Sequence, residues 1–166
     1  NGNVMPSKKY TTEELKKSVW VNFHPAPLPE YKGFAVYNFG LYNEEKRWGV
    51  TAHHMTDKID DGDIIDISYF EIENETVSSL RAKSHLKIIS LLKKIMIKIK
   101  NKECIQSRMN KGGTNYTKKM FEELREITQN MSLEEINKRI HACWFPPYKG
   151  AFVRLGGEEF LIKKQS

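Results

Sequence analysis

No apolar run in the chain approaches the roughly 20 residues that a membrane-crossing helix needs, and the opening "NGNVMPSKKY" lacks the charged-then-apolar layout of a secretory signal. Those absences lead us to expect a cytoplasmic protein without membrane association. Cysteine is scarce. Cys104 and Cys143 lie far apart and outside any CxxC pair, which argues against a disulfide framework or a thiolate zinc site and for two buried reduced thiols. Internal repeats and low-complexity tracts are missing, so solenoid and disordered architectures drop out. The acidic stretch "DKIDDGD" lacks the spacing of a calcium-binding EF-hand loop.

What remains is a chain of ordinary globular make-up. With 166 residues it is long enough for one domain with a real core, and 39% apolar content can fill that core. A formal net charge of +6 makes anionic partners plausible, such as nucleotides, phosphates or nucleic acid, without choosing among them.

Local patterns set the expected elements. "TTEELKKS", Thr11 to Ser18, places capping threonines before early Glu and late Lys, as a short helix favours. "VWVNF" is β-branched and aromatic and reads as a strand stopped by Pro25. Trp48 to Met55 and Ile64 to Ile72 read as two more strands around the "DKIDDGD" turn. From Val77 to about Lys100, Val77, Leu80, Ile88, Leu91, Leu92, Ile95 and Ile99 recur at helical spacing. Lys83, Lys87, Lys94 and Lys98 share another face, which reads as solvated. "GGTNY" breaks the chain, and a second helix is expected to turn Met120, Phe121, Leu124 and Ile127 inward. Ser132 with Glu135 opens a third, striped by Leu133, Ile136 and Ile140 and ended by Pro146 and Pro147. The tail reads as a hairpin joined at Gly156 and Gly157. Strands mixed with amphipathic helices make this an α/β or α+β domain.

Chemistry concentrates in "VNFHPAPLPEYKG", Val21 to Gly33. Asn22 and His24 are i and i+2 on a strand, so both point to one face just before three prolines forbid regular structure. The amide can donate to an oxyanion, and the imidazole can move a proton near neutral pH. A carboxylate beside His24 would favour the imidazolium and raise its pKa. Asp60, Asp61 and Asp63 are the candidates, although such turns are commonly only turns. His53 and His54 are adjacent and face opposite sides of their strand, so they form no paired metal site and read as structural or peripheral.

"NFHPAPLPEYKG" followed by "WGVTAHHMTDKIDDGDII" resembles the folate-dependent formyltransferase family: an Asn-x-His-Pro block with Leu-Pro and Lys-Gly, then a Gly-Val-Thr strand ending in an Ile-Asp-x-Gly turn. The likeness continues through "KGGTNYTKKM" and "IHACWFPPYKGAFVRLGGEEFLI". It implies a catalytic trio of Asn22, His24 and Asp60, with formyl-tetrahydrofolate as donor cosubstrate and no metal. On the same resemblance Thr56, Asp57, Lys58, Asp61, Gly62 and Asp63 contact the pterin, and Pro27, Tyr31, Lys32, Gly33, Trp144 and Tyr148 face the acceptor. Trp144, Phe145 and Tyr148 could stack on a base, although such a cluster is commonly packing.

The family likeness implies an α/β fold: the C-terminal half of a Rossmann-like domain over residues 1–110, with its N-terminal βαβ half absent, since 21 residues precede Asn22. Residues 111–166 would add helices and a small hairpin. The chain ends after one hairpin, where the methionyl-tRNA enzymes continue into a β-barrel. The favoured acceptor is therefore a nucleotide-linked amino-deoxysugar, of the kind used in lipopolysaccharide or glycan biosynthesis, with tRNA less favoured. A homodimer is compatible with this reading. A deformylase and a catalytically inactive nucleotide-binding fragment are the remaining alternatives.

Overall fold

In the computed structural model, which describes residues 19–162, the elements in chain order are β1 (Val21–His24), β2 (Tyr31–Gly33), α1 (Val36–Tyr42), β3 (Arg47–His54), β4 (Ile64–Glu71) and α2 (Val77–Lys100). They continue as β5 (Thr114–Tyr116), α3 (Lys118–Arg125), β6 (Glu126–Ile127), α4 (Leu133–Cys143), β7 (Phe152–Leu155) and β8 (Glu158–Leu161). The architecture is mixed α/β. The helix expected over Thr11 to Ser18 lies outside the described residues.

β3 is the spine. It pairs antiparallel with β1 on one side and β4 on the other, and its residues Trp48 to His53 are all buried. Such a run, buried at every position, marks a strand covered on both sides. Trp48, Val50 and Ala52 alternate onto one face. There Val50 and Ala52 meet Leu91 and Ile95 of α2, while Trp48 joins Tyr31, Phe39, Leu80, Leu124, Cys143 and Ala151 in a cluster that draws on both halves of the chain. Trp48 is fully buried and donates its Nε1–H to the Pro25 carbonyl, so one side chain both fills the core and ties down the proline-rich loop. Truncating a buried Trp to Ala costs about 3–5 kcal/mol.

α2 begins where Thr76 accepts from the Ser79 N–H and Ser79 reaches back, a reciprocal capping box. Its buried stripe is Val77, Leu80, Ser84, Leu91 and Ile95, whereas Leu92 and Ile99, expected inward, are exposed. Leu92 lies about 100° round the helix from Leu91, and Ile99, about 40° from Ile95, falls in the last turn. Lys83 and Lys94 of the lysine face pair with Glu75 and Asp66. Leu133 is likewise exposed, as it lies in the first turn of α4, while Ile136 and Ile140 pack inward. Ile127 is buried in β6 and not in a helix. Both thiols are free, but only Cys143 is buried: Cys104 follows the end of α2 and is exposed.

Four elements were not anticipated. α1 carries Val36 and Phe39 into the core, β2 and β5 form a parallel pair, Tyr31 to Thr114 through Gly33 to Tyr116, and β6 takes Glu126 and Ile127 out of the second helix. The C-terminal hairpin β7–β8 forms as expected around Gly156 and Gly157 and extends to β6. No helix among the described residues is long and apolar enough to cross a membrane.

Candidate active site

Antiparallel register builds the site. Asn22 lies directly opposite His53 and His24 opposite Thr51, so the last turn of β1 and the end of β3 present their polar side chains together. Thr51 donates to the Ala26 carbonyl and accepts from Leu28 N–H, which anchors the loop after β1 from beneath. The proline-rich loop between β1 and β2 is thereby held as one fixed shape without a helix or strand of its own.

His24 is buried, and its Nε2 sits 2.6 Å from the carbonyl oxygen of Tyr31. A carbonyl only accepts, so this nitrogen carries the proton of the neutral ring. Nδ1 is left as the basic position and lies 3.3 Å from Asp60 Oδ2. Burial pushes the His24 pKa below its ordinary value of 6.5. The Asp60 charge and the Tyr31 carbonyl oppose that shift without overcoming it. The expectation of a raised pKa is therefore corrected: a carboxylate is present, but desolvation of a ring with 5% exposure outweighs it. The result is a neutral imidazole at neutral pH, with its one lone pair turned toward a carboxylate.

Asp60 itself is held ionised. Burial would raise its carboxyl, but the His53 and His24 rings and the Gly33 N–H, which donates to Oδ2 at 3.0 Å, bring its pKa below the usual value. Of the three candidate acids only Asp60 reaches His24. Asp61 is engaged by Lys32 Nζ at 2.9 Å, and Asp63 is exposed. Geometry at the turn explains the selection. Asp60 takes a left-handed φ of 51°, and a Cβ at Gly62 would lie 1.8 Å from the His54 carbonyl oxygen, so only glycine lets the turn press against β3.

Of the two readings open for His53, structural or peripheral, the second is corrected. It is 2% exposed and takes Asn22 Nδ2 at 3.0 Å on its Nε2. Its Nδ1 is 2.8 Å from the His54 carbonyl, which fixes the proton there and leaves Nε2 as an acceptor. Nε2 is 3.7 Å from Asp60 Oδ1, beyond hydrogen-bond range. His53 thus orients the Asn22 amide and uses one of its two N–H donors. A register shift between Ala52 and His53 on the β4 side accompanies this placement.

The remaining site candidates separate into two groups. Pro27 and Tyr31 are core residues. The Tyr31 hydroxyl donates to Glu45 and its ring packs on Trp48 and Tyr116, so only its backbone faces the site. Lys32, Lys58, Ile59 and Asp61 line a cleft of about 380 Å³ with Gly112, Gly113 and Asn115. Thr56 and Asp57 are exposed on the same loop. A second, largely apolar cleft of about 240 Å³ runs from Phe34, the residue after Gly33, past Tyr37 and Phe121 to Phe145, Tyr148 and Lys149. Phe145 and Tyr148 stack there at 5.0 Å, whereas Trp144 is half-buried beside Gly150 and does not line it. Among the described residues no group of three or more His, Cys, Asp or Glu is placed to hold a metal ion.

Residues 9–95 match the family described as Formyl transferase. The chain is 29% identical to the methionyl-tRNA formyltransferase of Lactobacillus gasseri over 98% of its own length and 51% of that protein's, so it spans about half of this relative. Among solved structures it is similar to a 4-N formyltransferase from Francisella tularensis, with a TM-score of 0.82 at 22% identity over 96% of this chain and 67% of that one. The N-formyltransferase from Helicobacter canadensis, solved with folinic acid and dTDP-3-aminofucose, superposes with a TM-score of 0.69 at 25% identity, over 84% of this chain and 52% of its own.

Proposed function

The chain belongs to the formyl transferase family, and on that premise we propose that its site moves a formyl group from formyl-tetrahydrofolate to the amino group of a nucleotide-linked amino-deoxysugar. The observation that carries the reading is the contact of His24 Nδ1 with Asp60 Oδ2 at 3.3 Å, two residues along β1 from an amide held by His53. A neutral base, a carboxylate facing it and an oriented N–H donor are the tools that acyl transfer to an amine requires.

The donor supplies an activated formyl carbon. His24 takes on Nδ1 the proton that the amine sheds as its nitrogen bonds to that carbon, and Asp60 then faces an imidazolium in place of a lone pair. Asn22 directs its second N–H at the formyl oxygen, where negative charge develops. The same Nδ1 proton passes to the folate nitrogen as the bond between that nitrogen and the formyl carbon breaks, so the base returns to its starting state. Lys32, Lys58 and the exposed Ile59 put cationic and apolar surface side by side in the cleft next to Asp60, which suits a flat heterocycle with a carboxylate tail. The stacked Phe145 and Tyr148, with Lys149, suit the base of the acceptor nucleotide.

The likeness to methionyl-tRNA formyltransferases favours a second reading, in which the amine is the methionyl group of a charged tRNA. Incubation with formyl-tetrahydrofolate and either a dTDP-amino sugar or methionyl-tRNA, with the formylated product read by mass spectrometry, separates the two. Formylation of the sugar alone is the expected outcome. Formylation of the tRNA alone overturns the sugar reading, and donor binding without turnover on either amine overturns the transferase reading.

A further inference from the structure

We propose that Asn110 is a positioning residue: by donating to two backbone carbonyls of the acidic turn, it fixes the Asp60 carboxylate against His24. The inference rests on the reading of His24 and Asp60 as the proton-handling pair, and it adds a residue from a part of the chain that neither catalytic block contains.

Asn110 is 6% exposed, and its Nδ2 donates to two carbonyls at once, Asp60 O at 2.8 Å and Gly62 O at 3.1 Å. The first belongs to the strained residue of the turn and the second lies two residues past it. Asp60 has a left-handed backbone that an L side chain rarely adopts, and it needs an external tie to persist. The orientation of the amide is not in question, because turning it over would aim Oδ1 at the same two carbonyls. As placed, Oδ1 is buried without a partner, so the side chain works here through donation alone.

Asn110 is itself held by the segment that carries it. On its N-terminal side Arg108 exchanges both backbone hydrogen bonds with Ile64, two residues past Gly62. On its C-terminal side Thr114 donates to the Glu30 carbonyl, and β5 pairs with β2. A Cβ at Gly113 would fall 1.6 Å from the Pro29 oxygen, so the two backbones lie as close as glycine permits. β2 in turn supplies the Tyr31 carbonyl that holds His24 and the Gly33 N–H that holds Asp60. One strap, residues 108–116, therefore ties the acid's turn to the segment that orients the base.

The test reads the His24 imidazole by NMR through a pH titration of the free protein, with the signal assigned by its loss in His24→Gln. Wild type, Asn110→Ala and Asn110→Leu are compared below the melting temperature of each. The Leu variant preserves volume without a donor. The groups facing His24 are Asp60 from the turn, His53 from β3 and the Tyr31 carbonyl from β2, and the His53 signal is followed separately. Since Asp60 raises the proton affinity of His24, releasing the carboxylate should move the His24 midpoint to lower pH in both variants, toward that of Asp60→Asn. The expected kinetic companion is a kcat at least tenfold lower with the donor KM within threefold. A His24 midpoint unchanged in the folded variants, whatever their loss of melting temperature, makes Asn110 merely structural and overturns the proposal. The titration needs no turnover, so a shifted midpoint in a protein that formylates no amine leaves this inference standing and removes the functional reading.

Discussion

Replacing Asp60 by Asn removes one charge and changes little else. The amide oxygen still accepts from Gly33 N–H, so the turn keeps its tie, and the change is close to isosteric. The lost quantity is the attraction between the carboxylate and an imidazolium formed on Nδ1. At 3.3 Å that attraction is about 5 kcal/mol with an effective dielectric near 20. Side-chain exposures of 5% and 10% leave little room for salt to screen it. The attraction operates only once the proton has moved, so it lowers the barrier and not the energy of bound substrate. Positioned acid–base groups are worth about 100- to 10,000-fold, or roughly 3–5 kcal/mol, and the Coulomb figure falls at the top of that range. Asp60→Asn should therefore lose between two and four decades of kcat, with the KM of both substrates nearly unchanged. Its acid limb should lie at lower pH than that of wild type, because His24 has lost what raised its proton affinity. The assay is formyl transfer to the amino-sugar nucleotide at saturating donor, run through the neutral and mildly acidic range with melting temperature as a folding control. A folded variant that keeps the wild-type rate over that range refutes the reasoning.

Four further outcomes follow from the same geometry. Asn22→Ala should lower kcat by about a hundred- to a thousandfold with little effect on either KM, as loss of one oxyanion donor does; a raised KM with unchanged kcat would place the amide in binding instead. Urea-unfolding stability should fall as the pH drops below 6.5, because His24 binds its proton less readily folded than unfolded, and His24→Gln should flatten that slope. The Asp60 contribution has the same sign but is lost only at more acid pH, below the ordinary carboxylate range. Gly62→Ala drives a Cβ into the His54 carbonyl and should cost about 1–3 kcal/mol or more, seen as a melting temperature several degrees lower. Tyr148→Ala removes one member of the Phe145 stack, worth about 0.5–1.5 kcal/mol, and should raise the acceptor KM up to roughly tenfold while sparing the donor KM.

What could be read from residue order, and what could not, divides along the range of the interactions involved. The span of α2 is local: Thr76 and Ser79 cap it and its apolar residues recur at helical spacing, so its ends follow from the chain itself. Which of its apolar residues are buried is not local, because Leu92 differs from Leu91 only in where the sheet happens to lie. The same holds for β5. Three residues, Thr114 to Tyr116, have no periodicity to detect, and they become a strand only because β2 lies alongside them. α1 is hidden by the poor helix formers Val36 and Gly40, and the core it packs into overrides that propensity.

At the site the pairing of Asn22 with His24 on one face follows from strand alternation, but the choice of Asp60 over Asp61 and Asp63 needed the family likeness, since all three sit in one turn. The structure supplies the physical reason. A left-handed backbone at Asp60 sends its carboxylate to His24 and Gly33, and Lys32 draws Asp61 the other way. His53 and Asn110 could not be found from spacing, because each acts on a residue brought to it by register: Asn22 across β1 and β3, and Asp60 across the strap. The direction of the His24 shift is likewise a property of the assembled interior. Charge alone predicts a rise, and only the depth of burial, which no local pattern encodes, decides that desolvation wins.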